Sequence, residues 1–109
     1  MDDCVFCKIA KREMQSEVVF EDKDVLAFKD NKPSADTHLL IIPKKHIPSF
    51  VDIKKNDSET VNQMIEVAQK LASEFEITGK YKLIINGGEY QFVPHLHLHL
   101  LGGNIRKEV

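Results

Sequence analysis

The chain has 109 residues, of which 42% are hydrophobic and 29% charged, and its formal net charge is -2. This length predicts a single domain, residues 1–109, with a core small enough to favour a homodimer. The interspersed charges lack the basic stripe that binds nucleic-acid polymers, so we expect no such partner. No apolar run approaches the about 20 residues of a membrane span, and Met1-Asp2-Asp3-Cys4 shows no signal peptide, so we expect a cytoplasmic protein without a membrane partner.

Near the start of the chain, Cys4 and Cys7 form a Cys-x-x-Cys pair. The two thiols are too close for an ordinary structural disulfide, and in a reducing compartment the pair indicates metal binding or redox chemistry. A thioredoxin-type redox pair normally follows a strand, and no strand fits before Cys4. The position therefore favours metal ligation.

Apolar runs and turn residues predict four elements in the first half of the chain: a short helix at 8–12, strands at 18–21 and 25–28, and a buried strand at 38–42. The first two strands form a hairpin around Asp22-Lys23-Asp24. Loop residues at 31–36 lead into the buried strand, which Pro43 closes.

The second half begins with one long amphipathic helix, in which Asn56 and Glu59 are placed like a capping pair. Its apolar residues follow three-and-four spacing and are assigned to the core: Val61, Met64, Ile65, Ala68, Leu71, Ala72 and Phe75. Strands are predicted at 80–85 and 94–101. The chain is therefore predicted to be an α+β domain, with a mostly antiparallel five-stranded sheet, one long helix and one short helix.

Three of the five histidines, His95, His97 and His99, alternate with leucines in the last predicted strand. Alternation in a strand places the three imidazoles on one face and the leucines on the other. Such a face could simply be solvated. The two chemical interpretations are a zinc site and nucleophilic catalysis, in which a neutral imidazole attacks phosphorus.

The run His-Leu-His-Leu-His-Leu-Leu resembles the signature of the histidine triad family, His-x-His-x-His followed by two apolar residues. The resemblance covers nearly the whole chain. It is carried further by these segments: 4–9, 26–30, 38–46 and 101–103. The chain looks most similar to the Hint branch of nucleoside phosphoramidases.

The resemblance implies a catalytic role for three histidines. His97 would be the nucleophile that becomes adenylylated, and His99 would lie beside the phosphate and leaving group. His38 resembles the family's fourth active-site histidine, although it could also be a buried residue satisfied by the backbone. Asp30 resembles the carboxylate that accepts the ribose hydroxyls, and its alternative is an ordinary surface carboxylate.

Other positions match the family's binding residues for a purine mononucleotide such as AMP. Four apolar residues would enclose the purine, although on sequence alone each is more simply interpreted as a core residue: Phe6, Ile9, Phe28 and Leu40. Asn86 matches an asparagine near the phosphate, or is a turn residue before Gly87.

The resemblance also implies a structural zinc site, in which Cys4, Cys7, His46 and His95 form a closed Cys2His2 set. His95 would then be a ligand rather than an acid or base. Without zinc, the cysteines would be two ordinary thiols. No organic cofactor is expected.

The chain departs from the family in the loop before His95, where Tyr90-Gln91-Phe92 replaces Gly-Gln-Ser. The change removes a hydroxyl donor, and loss of one oxyanion donor costs about a hundredfold in rate. Gln91 would still orient the leaving group, and the backbone N–H of Phe92 would replace one donor. The chain also lacks the C-terminal tryptophan of some members.

These observations favour hydrolysis of adenosine phosphoramidates through a nucleotidyl-histidine, with release of AMP. A dinucleoside polyphosphate hydrolase or a nucleotidyl transferase would use the same nucleophile with another leaving group. A nucleotide- or zinc-binding interaction protein with weak catalysis is the non-enzyme alternative.

Overall fold

The computed structural model describes residues 3–109, so two of the four residues used to exclude a signal peptide lie outside the described range. A five-stranded sheet in the order β1-β2-β3-β5-β4 forms the body, and every neighbouring pair is antiparallel. The strands are β1 Val18–Glu21, β2 Val25–Lys29, β3 Ala35–Pro43, β4 Tyr81–Ile85 and β5 Leu98–Ile105. The helices are α1 Val5–Ala10 and α2 Ser58–Glu74. This architecture confirms the predicted α+β class.

Hydrophobic residues are buried on both faces of the sheet because α1 and α2 pack on opposite sides. The α2 side contains the alternate residues Leu39 and Ile41 of β3, together with Leu96, Leu98 and Leu100 near β5. The α1 side contains Leu40 and Ile42, together with Phe6, Ile9, Leu26 and Phe28. Two-sided burial explains why β3 is an uninterrupted apolar run rather than an alternating one.

Both helices start at residues other than those predicted. The predicted short helix at 8–12 begins at Val5 instead, where the Cys4 sulfur accepts a hydrogen bond from the Cys7 backbone N–H at 3.3 Å and caps the first turn. The predicted Asn56–Glu59 capping pair is wrong. A 3₁₀ turn, Lys55–Asp57, precedes α2, and the Asp57 carboxylate accepts from the Lys54 N–H at 2.9 Å.

The last strand begins later and ends later than predicted. β5 starts at Leu98 rather than at Pro94, because the backbone N–H of Leu96 donates to the Ile47 carbonyl instead of to a neighbouring strand. It continues to Ile105, which pairs with Ala35 and so extends β3 towards its N-terminus. β4 begins at Tyr81, one residue after the predicted start. Among residues 3–109, none of the helices has the length and hydropathy of a bilayer-spanning segment.

Candidate functional site

The imidazoles of His95, His97 and His99 all lie on the α1 side of the sheet, although only His99 belongs to β5. The intervening leucines pack in the core under α2. The extended backbone therefore alternates as a strand does, even before strand pairing begins. The ring centroids of His97 and His99 are 4.9 Å apart, so the two imidazoles are direct neighbours.

The Nδ1 atom of His97 lies 2.7 Å from the backbone carbonyl oxygen of His95. A carbonyl only accepts hydrogen bonds, so Nδ1 carries the proton and the lone pair is at Nε2. Burial lowers the pKa of His97, which keeps the imidazole neutral at pH 7. This geometry presents the lone pair of a fixed, uncharged imidazole at Nε2.

The backbone also determines the tautomers of the neighbouring pair. The Ser34 N–H donates to His38 Nδ1 at 3.0 Å, so the proton of neutral His38 is on Nε2. That Nε2 lies 3.0 Å from His99 Nδ1, which must accept, and the proton of neutral His99 is therefore on Nε2. Burial, together with the neighbouring His97 and His38, lowers the pKa of His99 to about 4.

Asp30 lies beside this pair, immediately after β2. One carboxylate oxygen is 3.5 Å from His38 Nε2, and the other accepts from the Lys32 N–H at 2.8 Å, which orients the group. Burial lowers the pKa of His38, and the negative charge of Asp30 partly opposes that shift. The Asp30 side chain is 21% exposed and lines a cleft.

A cleft of about 570 Å³ opens between α1 and the start of the β2–β3 loop. The apolar residues predicted to hold a purine line it together with Asp30: Phe6, Ile9, Phe28 and Leu40. Their side chains are at the same time largely buried, because the cleft is an opening in the core on the α1 side. The cleft has the size of a small-molecule site. The histidines do not line it, but two of its lining residues contact them: Phe6 meets the ring of His97, and Asp30 lies beside His38.

Four potential metal ligands from three parts of the chain converge behind His97. The donor atoms of Cys4, Cys7, His46 and His95 all lie within 4.8 Å of one another. Cys4 Sγ is 3.3 Å from His95 Nδ1, and Cys7 Sγ is 3.2 Å from His46 Nδ1. Nitrogen and sulfur ligands of one tetrahedral Zn²⁺ would be about 3.5 Å apart, so the spacing fits that ion.

The orientation of His95 fits the same role. Its Nε2 lies 2.8 Å from the Pro43 carbonyl, which places the proton there and turns the Nδ1 lone pair towards the two sulfurs. Burial and the neighbouring Cys4 thiol raise the pKa of Cys7, so a cation is needed to hold its thiolate form.

Three of the predicted substrate-binding residues do not line this cleft. Asn86 lines a separate surface groove with Phe50 and Val51. The Gln91 amide donates to the carbonyls of Pro48 and Val93, at 2.7 and 2.9 Å, and so braces its own loop. Phe92 is 88% exposed.

Sequence patterns do not identify the residues that take part in the site only through a backbone group or through the fold of a loop. Ser34 and Pro43 act through a backbone N–H and a carbonyl, which leave no side-chain pattern. Val93 and the segment 14–17 line the cleft because the loops fold against it. In the sequence, Pro43 predicts only the end of a strand.

Comparisons with known proteins point to one family. The family described as "Scavenger mRNA decapping enzyme C-term binding" matches residues 3–108. The purine nucleoside phosphoramidase of Escherichia coli K12 is 41% identical over 105 residues, which cover 94% of this chain and 88% of that protein. Protein HitA of Neisseria gonorrhoeae is 38% identical over 104 residues, covering 94% and 97%.

Solved structures agree with these sequence matches. The HIT family hydrolase from Legionella pneumophila Philadelphia 1 is 48% identical, with a TM-score of 0.91 and 94% of each chain covered. A histidine triad protein from Clostridium difficile is 39% identical, with a TM-score of 0.92, covering 100% of this chain and 97% of that one.

Proposed function

Because this chain belongs to the histidine triad family, we propose that it is a nucleotide hydrolase that cleaves adenosine phosphoramidates at the alpha phosphorus and releases AMP. The observation that carries the proposal is the lone pair of His97 Nε2, held by the hydrogen bond from Nδ1 to the His95 carbonyl. The similarity to a purine nucleoside phosphoramidase supports the choice of substrate.

The cleft supports binding of the nucleotide in one orientation. The purine would lie between the apolar side chains of Phe6, Ile9 and Phe28, where it is removed from water. The ribose hydroxyls would donate to the exposed oxygens of Asp30. This placement brings the alpha phosphate to His97 and His99.

In the first step, His97 Nε2 forms a bond to phosphorus while the bond from phosphorus to the amine nitrogen breaks. The Nε2–H of His99 donates a hydrogen bond to the departing nitrogen, which takes one proton from solvent. The His95 carbonyl stabilises the positive charge that develops on the nucleotidylated ring, because Nδ1–H already donates to it. In the second step, water attacks phosphorus, the bond to His97 breaks, AMP leaves and one proton returns to solvent.

Zinc is proposed as a structural component bound by Cys4, Cys7, His46 and His95. The spacing of the donor atoms and the orientation of His95 support this assignment. A closed four-ligand site supplies no reaction chemistry, but it would hold the His95 carbonyl that positions His97. The proposed location is the cytosol, where thiols remain reduced.

A homodimer is proposed through β4, which is an edge strand. Tyr81, Leu83 and Ile85 are 57%, 39% and 43% exposed and occupy one face of that strand. A second copy that pairs with this edge would continue the sheet and cover the apolar face. Light scattering should give about twice 12.5 kDa, and a monomer at micromolar concentration would refute the dimer.

The deciding experiment uses a fluorogenic adenosine phosphoramidate with the wild type, His97→Ala and the exposed-residue control Phe92→Ala. We expect amine release from the wild type and the control, an added AMP mass on quenched wild type, and loss of both in His97→Ala. Tight AMP binding without turnover would instead favour a nucleotide-binding protein. Selective cleavage of dinucleoside polyphosphates would indicate the alternative hydrolase.

A further inference from the structure

The C-terminal segment 104–107 packs against residues 34–36, where the preceding loop ends and β3 begins. The backbone N–H groups of Arg106 and Lys107 both donate to the Ser34 carbonyl, at 2.8 and 3.2 Å. The guanidinium of Arg106 donates to the Asp36 carboxylate at 2.7 Å and to the Ala35 carbonyl at 2.8 Å. Three consecutive residues, 34–36, are therefore held from one side by the end of the chain.

Gly103 allows this close approach. It has a φ of +75°, and a Cβ atom at this position would lie 2.7 Å from a carboxylate oxygen of Asp36. The same oxygen accepts from the Asn104 N–H at 2.9 Å. The bend at Gly103 thus directs Arg106 onto residues 34–36. Residues with a side chain rarely adopt the backbone conformation that Gly103 has here.

Ser34, the first of these three residues, supplies the donor that determines which nitrogens of His38 and His99 carry a proton. The Ser34 N–H reaches His38 Nδ1, and through His38 it places the proton of His99 on Nε2. If this N–H moved away, His38 could carry its proton on Nδ1 and present a lone pair to His99. His99 would then take the opposite tautomer and turn a lone pair towards the departing nitrogen.

The hydrogen bond from Ser34 to His38 also distinguishes a second group of potential metal ligands from the proposed zinc site. The donor atoms of Asp30, His38 and His99 also lie within 4.8 Å of one another, as a metal set would. A proton on His38 Nε2 blocks coordination there. By contrast, the Pro43 carbonyl places the proton of His95 on the nitrogen that faces away from the cysteines.

We propose that Arg106 is a positioning residue for the proposed hydrolysis. Its guanidinium holds Asp36 and Ala35, the residues that follow Ser34, and so keeps the Ser34 N–H against His38, which maintains the tautomer of His99 that donates to the leaving group. The inference rests on the proposed function for its kinetic consequence. Its structural part concerns only the free protein, so the tautomers of His38 and His99 can be tested without substrate.

The experiment compares the wild type with Arg106→Ala, Arg106→Lys and the control Lys70→Ala, which removes an exposed ion pair with Glu74 on α2. Long-range ¹H–¹⁵N correlation spectra of zinc-loaded full-length protein at neutral pH report each histidine tautomer. We expect Nε2–H tautomers of His38 and His99 in the wild type and the control. Arg106→Ala should show mixed tautomers, and Arg106→Lys should restore part of the wild-type pattern, because lysine replaces one donor.

Kinetics on the same proteins separate positioning from general destabilisation. Arg106→Ala should lower kcat about fivefold, as expected for one exposed charged contact, with KM changed less than about twofold. Lys70→Ala should leave both unchanged. Ser34→Pro lacks the N–H itself and should shift His38 and His99 further from their Nε2–H tautomers than Arg106→Ala does. If the proline variant does not fold, Arg106→Ala still tests the proposal.

Two outcomes would overturn the proposal. One is an Nδ1–H tautomer of His38 in the wild type, and the other is an unchanged tautomer pattern in folded Arg106→Ala. A wild type that shows the expected tautomers but releases no amine would refute the proposed hydrolysis and leave the role of Arg106 in positioning the pair intact.

Discussion

The ring of Phe6 meets the ring of His97 edge to face, with centroids 5.1 Å apart and planes at 84°. The same ring contacts Phe28 at 5.5 Å, so α1 connects the wall of the cleft with the proposed nucleophile. Because Phe6 is 6% exposed, its side chain both fills the core and shields one side of the imidazole. A substitution at Phe6 would therefore change the core and the surroundings of His97 together.

Replacing Phe6 tests that coupling. Phe6→Ala should lower the free energy of unfolding by about 3 kcal/mol and weaken AMP binding, because it removes a buried ring from the cleft wall. Phe6→Leu should retain most of the stability and lose less affinity. Denaturant unfolding and calorimetric AMP titration provide the two measurements. Equal AMP affinity in all three proteins would argue against a purine in this cleft.

Asp30→Asn should raise KM for a ribonucleotide substrate about tenfold, because an amide accepts the ribose hydroxyls less strongly than a carboxylate. A 2′-deoxyribose substrate is the control. It lacks one of the two donors, so the variant and the wild type should differ less with it. If both substrates lose the same factor, Asp30 acts through His38 rather than on the sugar.

Zinc should be present at one ion per chain and should be lost in Cys7→Ser, with a fall of about 10 °C in the unfolding midpoint. The measurements are elemental analysis and thermal unfolding. Asp30→Asn is the matched control, since it alters the other cluster of potential ligands. Full zinc content in Cys7→Ser would contradict the assignment of the ligands.

Stability should fall as the pH drops from about 6.5 towards 4. The pKa of His99 is lowered from 6.5 to about 4, mainly by burial, so between these values the unfolded chain binds a proton that the folded chain does not. Proton uptake then favours unfolding. Urea midpoints at pH 7.5 and 5.0 measure the effect, and His99→Asn should show a smaller difference between them.

Gly102→Ala should destabilise the protein by about 2 kcal/mol through overpacking. A Cβ atom at Gly102 would lie 2.4 Å from a methyl group of Ile77, which is 6% exposed. Gly87→Ala is the control, because nothing lies within 4 Å of its added Cβ. Equal urea midpoints for the two variants would show that the Ile77 side chain moves aside at little cost.

Local patterns in the sequence were sufficient for the fold class and for the orientation of the histidines. Alternation at residues 95–100 predicts that imidazoles and leucines separate, and this depends only on an extended backbone. It therefore holds although β5 begins at Leu98. The predicted stripe of α2 includes the buried Met64, Ala68 and Leu71 but misses Val67, which is also buried. The start of that helix depends on the carboxylate of Asp57 and a 3₁₀ turn.

Only the tertiary structure decided which distant residues share a site and which nitrogen of each imidazole bears the proton. Cys7 and His95 are 88 positions apart, and no local pattern measures the distance between them. Ser34 contributes a backbone N–H, which every residue except proline possesses, so its identity carries no signal. Composition and periodicity describe side chains along one element, whereas the tautomers depend on backbone groups that other elements bring within 3 Å.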